Sequence, residues 1–153
     1  MNMKLGRRIS FLIYAANVLL LIAIGFLFEF SSEFLPFHSE VIQTDWKDLD
    51  AKYQILYLGM MRTEAAGFLA AGTAIGILLF VPFRKHEKWS YWAMSIIGII
   101  EYAPTFFANY HVSEVTQASP PWQLMLVLML SMLAALILSL ASDKKPLSIQ
   151  KGS

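Results

Sequence analysis

The chain has 153 residues, of which 57% are hydrophobic and only 15% are charged, with a formal net charge of +1. Soluble domains contain roughly 45–50% apolar and about 25% charged residues, so this composition predicts a membrane protein whose first partner is the lipid bilayer. The near-neutral charge argues against a nucleic-acid partner, and the absence of cysteine excludes disulfides, thiol catalysis and cysteine-ligated metals.

The first apolar run, residues 9–28, follows a short basic start. About 20 apolar residues span roughly 30 Å of hydrocarbon as a helix. A cleaved signal peptide is the alternative, because it also combines a basic start with an apolar run. We favour a retained transmembrane helix, since no small-residue cleavage site follows Phe28.

Residues 29–52 are acidic, with aromatic and aliphatic residues interleaved among the charges. Because aromatic side chains favour the membrane interface, this pattern predicts an outer loop that rests on the membrane surface. Residues 44–46 could begin a short amphipathic turn within it. His38 and Glu40 lie close in sequence, but two candidate ligands do not make a metal site, and we predict no metal.

Three more helices are predicted, over residues 53–81, 89–110 and 122–141, with a second outer loop over residues 111–121. Pro82 ends the first of these helices, and the short basic connection after it predicts an antiparallel hairpin. The polar C-terminal tail is predicted to be disordered. The chain is therefore expected to form one all-α domain, a four-helix transmembrane bundle.

The distribution of lysine and arginine predicts the orientation of these helices. Nine such residues fall in the N-terminal segment, the basic turn and the tail, whereas the two outer loops contain only Lys47 and Lys52. Both termini are therefore predicted to be cytoplasmic. The expected location is a cell membrane, crossed several times.

Glu101 is the carboxylate that the sequence places deepest in the membrane. It lies about 18 Å along its helix from Trp89 and about 12 Å below the outer surface. An intramembrane carboxylate is costly, so it marks a candidate site. Asn17 lies at a similar depth and could hydrogen-bond to Glu101, while Pro104 frees the carbonyl of Ile100 and predicts a kink.

Arg62 and Glu64 lie near the outer edge, because Arg62 is about 30 Å along its helix from Pro82. Being two residues apart, they point to nearly opposite sides of a helix. We expect Arg62 to face the bundle.

Two interpretations of these polar residues stay open. In one, they line a pocket in the outer half of the bundle that binds a small ligand or passes a proton. In the other, a protonated Glu101 is bonded to Asn17 or to a backbone carbonyl and fixes the packing of the helices. The pocket candidates are Glu101, Arg62, Glu64, Asn17, Tyr102 and Asn109.

Small residues recur along the second helix at the spacing that allows helices to approach closely in lipid. The ladder consists of Gly59, Thr63, Gly67 and Ala71, and Gly72 and Gly76 form a GxxxG pair. Packing within the bundle is the simpler interpretation, and formation of a homodimer through this face is the alternative.

The sequence PFRKHEKW at residues 82–89 is similar to the short basic turn that precedes a Trp-rich helix in small bacterial four-helix membrane proteins, some of them DoxX-like. The resemblance covers residues 59–92. It implies a bacterial inner-membrane protein of unassigned activity and carries over no catalytic residue.

The sequence contains no recognisable nucleophile–base set and no phosphate-binding glycine loop, so we predict neither a catalytic residue nor a cofactor. The first functional hypothesis is a non-enzymatic membrane protein that assembles with itself or with a membrane partner through its helix faces. The second is a small transporter or hydrophobic-ligand-binding protein with a polar pocket around Glu101. An enzyme acting on lipid or quinone is the least favoured.

Overall fold

The computed structural model describes residues 5–143, and throughout this part of the chain the regular secondary structure is helical. The prediction of an all-α fold is therefore confirmed. The five α-helices of residues 5–143 are α1 Leu5–Phe30, α2 Pro36–Ile42, α3 Ala51–Leu78, α4 Lys88–Val115 and α5 Trp122–Asp143. A 3₁₀ turn over Trp46–Asp48 precedes α3, and a π-helical turn over Leu79–Phe83 continues it. The tail predicted to be disordered lies outside the described residues.

Within the described part of the chain, three helical segments are long and apolar enough to cross a membrane: Leu5–Phe30, Ala51–Phe83 and Trp122–Asp143. α4 is as long as α3, with 28 residues, but it is less apolar and is not one of these three segments. Its lower hydropathy follows from Glu101 and from several tryptophan and tyrosine residues within the predicted third segment. The expectation of a membrane protein is thus supported by three of the four long helices.

The helices extend beyond the predicted apolar segments because polar and aromatic residues at their ends continue the helical hydrogen bonding. α4 ends at Val115, five residues after the predicted boundary, which shortens the second outer loop. Within the first outer loop the structure adds α2, which begins at Pro36, a favourable first residue of a helix. The amphipathic turn expected near residues 44–46 corresponds to the 3₁₀ turn at Trp46–Asp48.

Each of the four long helices packs against two others: α1 against α3 and α5, and α4 against the same two. Neighbouring helices are antiparallel, since the beginnings of α1 and α4 lie together with the ends of α3 and α5. Their shared core includes the buried side chains of Tyr14, Leu21, Phe68, Ile75 and Met132.

The small residues of α3 allow α1 to approach closely. A Cβ atom placed on Gly72 would lie 3.0 Å from Ile22 Cδ1 and 3.1 Å from Leu21 Cβ. One placed on Gly76 would lie 3.6 Å from Val18 Cγ1. The GxxxG pair therefore serves contacts within the molecule.

A buried polar cluster joins α1, α4, α5 and the turn between α3 and α4, at the end where α1 begins. Arg7, only 7% exposed, donates hydrogen bonds to the Tyr91 hydroxyl at 2.9 Å and to the Asp143 carboxylate. It also contacts His86 Nε2 at 3.3 Å. Because arginine can only donate, His86 accepts through Nε2 and is neutral. In the sequence analysis Arg7 served only to predict the orientation of the helices in the membrane.

Candidate functional site

A hydrogen-bonded layer around Asn17 connects α1, α4 and α5. Asn17 is 2% exposed, and its amide nitrogen donates to Ile13 O and to Ser131 Oγ, both at 2.9 Å. Its Oδ1 accepts from the Tyr102 hydroxyl at 3.0 Å. Both amide hydrogens are therefore engaged, and the hydrogen bond that we expected between Asn17 and Glu101 is replaced by the one to Tyr102.

Glu101 is half-buried on α4, where its carboxylate lies against the backbone of α3. A Cβ atom on Gly67 would lie 3.3 Å from Glu101 Oε1 and 3.5 Å from Oε2, so the glycine makes room for this carboxylate. Within residues 5–143 the Glu101 carboxylate takes part in no ion pair. α4 continues through Pro104, and the Thr105 hydroxyl donates to the Glu101 carbonyl at 3.2 Å.

An enclosed cavity of about 190 Å³ lies beside these residues, in the half of the molecule that contains α2. All five helices or the segments next to them contribute to its wall. The side formed by α1 and α5 is apolar and includes Phe28, Leu124 and Met125. The polar residues on the wall come from the other three helices: His38, Glu64, Thr105 and Asn109.

Arg62 and Glu64 have the opposite arrangement from the one we expected. Both side chains are exposed, but Glu64 lines the cavity, at the edge of an open groove on α3, and Arg62 is not among the cavity-lining residues. The expectation that Arg62 faces the bundle is therefore wrong. The rotation of α3 about its axis is set by the packing of Met61, Ala65 and Phe68, all buried on the side facing its neighbours.

α2 and the residues before it cover the outer end of the cavity. The side chains of Leu35, Phe37 and His38 lie on this part of the wall. The ring of Phe34 packs edge-on against Trp46 and Tyr57, with centroids 5.0 and 5.4 Å apart. This aromatic contact fixes the segment to the outer end of α3.

On its other side, α2 is held by the loop between α4 and α5, since the backbone N–H of Ser119 donates to Glu40 Oε2 at 2.9 Å. His38 Nδ1 accepts from the backbone N–H of Leu35 at 3.1 Å, so its remaining hydrogen is on Nε2. Burial lowers the pKa of His38 below its ordinary value, which favours the neutral ring.

Glu64 is the one Asp, Glu, Lys or Arg among the residues that line this cavity. The ion pairs of the described residues are Arg7–Asp143 and Lys52–Asp50, neither of which is near it. The residues that line the cavity therefore place no lysine or arginine beside Glu64.

A larger, open groove of about 1030 Å³ lies on the outer surface, between α2 and the 3₁₀ turn. Its lining is acidic and includes Glu33, Glu40, Asp45 and Asp48. In the described part of the chain no three His, Cys, Asp or Glu side chains are placed to hold a metal ion. We therefore treat the enclosed cavity as the candidate site.

The predicted site residues separate into three groups. Glu64 and Asn109 line the cavity, and Glu101 lies next to it against Gly67. Asn17 and Tyr102 belong to the hydrogen-bonded layer, and Arg62 is outside. Phe28, His38 and Thr105 are among the cavity residues that the sequence analysis missed.

Comparison of the chain with protein-family models, characterised proteins and solved structures found no match. The similarity to DoxX-like proteins therefore stays a prediction.

Proposed function

We propose that the chain crosses a bacterial cytoplasmic membrane four times, with both termini in the cytoplasm. α4 has 28 residues, about 42 Å of helix, which is enough to cross a bilayer. A row of large exposed side chains along α4 suits contact with lipid tails. This row consists of Trp89, Trp92, Ile96, Ile100 and Phe107. The excess of lysine and arginine at the other end from Lys47 and Lys52 supports the orientation.

We further propose that the protein binds a small hydrophobic ligand that carries a hydrogen-bonding group, in the outer cavity. The observation that carries this proposal is an enclosed space with an apolar side, formed by α1 and α5, opposite a polar side with His38, Glu64, Thr105 and Asn109. Ligand sites have this composition: mostly apolar walls and a few polar groups that orient the ligand.

The size of the cavity limits the ligand. An apolar cavity of roughly 150 Å³ accommodates benzene, so the 190 Å³ found here suits a molecule with a single ring or a short chain. The role that fits this arrangement is capture of a small membrane-soluble molecule. Transport of that molecule would need a second, open arrangement of the helices.

The proposal is tested by titrating benzyl alcohol into the protein in lipid nanodiscs, with empty nanodiscs as the blank for partitioning into lipid. Thr105→Phe would place a phenyl ring in the cavity and is expected to abolish saturable binding. Ala134→Phe is the matched control, because Ala134 is exposed on α5 and does not line the cavity.

Assembly of the chain with itself or with a membrane partner is a second candidate function. It is supported by an exposed row of small residues on α3, at the spacing that favours close helix contact. The row consists of Gly59, Thr63, Ala66, Ala70 and Thr73. A Cβ atom on Gly59 would meet nothing within 4 Å. A dimer mass by sedimentation in detergent, lost in Ala70→Trp, would support self-assembly, and a monomer mass for the wild type would contradict it.

A further inference from the structure

The charge of the cavity wall restricts the chemistry of its ligand. Glu64 is the one residue of the lining that is charged when ionised, and His38 is neutral because its Nδ1 accepts the backbone N–H of Leu35. Arg62 cannot compensate Glu64 from within the cavity, since it lies two residues away, on nearly the opposite side of α3. A second carboxylate, that of Glu101, lies against Gly67, about one helical turn from Glu64 along α3.

Glu64 is exposed and also borders an open groove on α3, but where it faces the apolar cavity its carboxylate is stabilised by a cationic partner. The described residues give Glu64 no ion-pair partner. A ligand that carries a positive charge would supply the missing partner. A ligand that carries a carboxylate would meet two like charges and would be rejected.

The aromatic residues of the wall suit the same kind of ligand. Phe28, Phe37 and Phe68 line the cavity, and the rings of Phe28 and Phe68 are 5.9 Å apart in an edge-on arrangement. The faces of aromatic rings attract ammonium groups, and cages of such rings recognise alkylated amines. The apolar side formed by α1 and α5 leaves room for the hydrocarbon part of the ligand.

We propose that the ligand of the outer cavity is a small lipophilic amine in its protonated form, with its ammonium group at Glu64 and its hydrocarbon part against α1 and α5. This inference rests on the proposed function, because it assigns the chemical class of the ligand for the same cavity. Glu64 would be the residue that determines specificity, and the nearby Glu101 would add to the negative potential.

The test compares three probes that share one ring and differ in charge: benzylammonium, benzyl alcohol and benzoate. Each is titrated into the protein in zwitterionic nanodiscs at pH 7, so that anionic lipids do not attract the amine. A charge-assisted hydrogen bond predicts that benzylammonium binds about tenfold more tightly than benzyl alcohol. Benzoate is expected to show no saturable binding.

Glu64→Gln keeps the size and hydrogen-bonding capacity of the side chain and removes its charge. It is expected to abolish the preference for benzylammonium while leaving the affinity for benzyl alcohol nearly unchanged. Glu114→Gln is the matched control, because Glu114 is exposed on α4 and does not line the cavity. This control is expected to keep the tenfold preference.

The outcomes separate the two proposals. Equal affinity for benzylammonium and benzyl alcohol in the wild type would overturn the amine inference and leave the ligand-binding function standing. Tighter binding of benzoate than of benzylammonium would have the same consequence. Absence of saturable binding for all three probes would overturn the ligand-binding function itself. The comparison of probes on the wild type does not depend on whether the Glu64→Gln protein folds.

Discussion

Replacing Arg7 by methionine is expected to lower the free energy of unfolding by about 3–5 kcal/mol, because it leaves the Asp143 carboxylate buried without its partner. The side chains of Arg7 and Asp143 are only 9% and 14% exposed, so water cannot replace the lost contact. The Tyr91 hydroxyl and His86 Nε2 would lose their hydrogen-bond donor as well. Unfolding by SDS in mixed micelles measures the effect.

Two variants show whether the missing partner is the cause. Arg84→Met removes an exposed arginine from the same end of the molecule and is expected to change stability by less than about 0.5 kcal/mol. The double variant Arg7→Met, Asp143→Leu removes both charges and is expected to recover most of the loss. A loss of stability equal to that of Arg84→Met would show that Arg7 does not hold the helices together.

Replacing Asn17 by leucine is expected to cost about 1–2 kcal/mol, because it removes the acceptor of the Tyr102 hydroxyl and the donor to Ser131. Hydrogen bonds between membrane helices average about 0.6 kcal/mol with a maximum near 1.7, so two of them can reach this total. Helices α1, α4 and α5 would lose the polar layer that connects them.

A double-mutant cycle with Tyr102→Phe isolates the bond between Asn17 and Tyr102. The coupling energy is expected to be about 0.5–1 kcal/mol. Tyr110→Phe serves as the control, since no hydrogen bond joins Tyr110 to Asn17, and it is expected to show no coupling to Asn17→Leu. Additive effects of Asn17→Leu and Tyr102→Phe would contradict the assigned hydrogen bond.

The helical content was predictable because long apolar runs leave the backbone no alternative to internal hydrogen bonding in lipid. The existence of all four long helices follows from this rule, including α4 despite Glu101. Their ends were less predictable, since residues 111–115 continue α4 although their polar side chains resemble a loop.

The position of α2 over the cavity was harder to predict from the sequence. α2 has only seven residues, too few for a hydrophobic period, and its placement depends on the packing of Phe34 against Trp46 and Tyr57. Pro36 was the one local signal of a helix start. The cavity exists because this distant aromatic contact holds α2 over the outer ends of the long helices.

The polar contacts depend on the rotation of each helix, which an apolar pattern without a clear polar face leaves undetermined. Depth alone suggested that Asn17 pairs with Glu101, but α4 presents the neighbouring Tyr102 to Asn17 instead. In the same way, the rotation of α3 directs Glu64, and not Arg62, to the cavity. The pairing of Arg7 with Asp143 joins residues 136 positions apart, which no local pattern indicates.

The titration of benzyl alcohol into wild-type and Thr105→Phe protein tests the central claim, that the outer cavity holds a small ligand, most directly. We expect saturable binding of one molecule per chain in the wild type and in the Ala134→Phe control, and only lipid partitioning in Thr105→Phe. Binding that is equal in wild-type and Thr105→Phe protein, or absence of saturable binding to the wild type for benzyl alcohol and both charged probes, would contradict the assignment of this cavity as a ligand site.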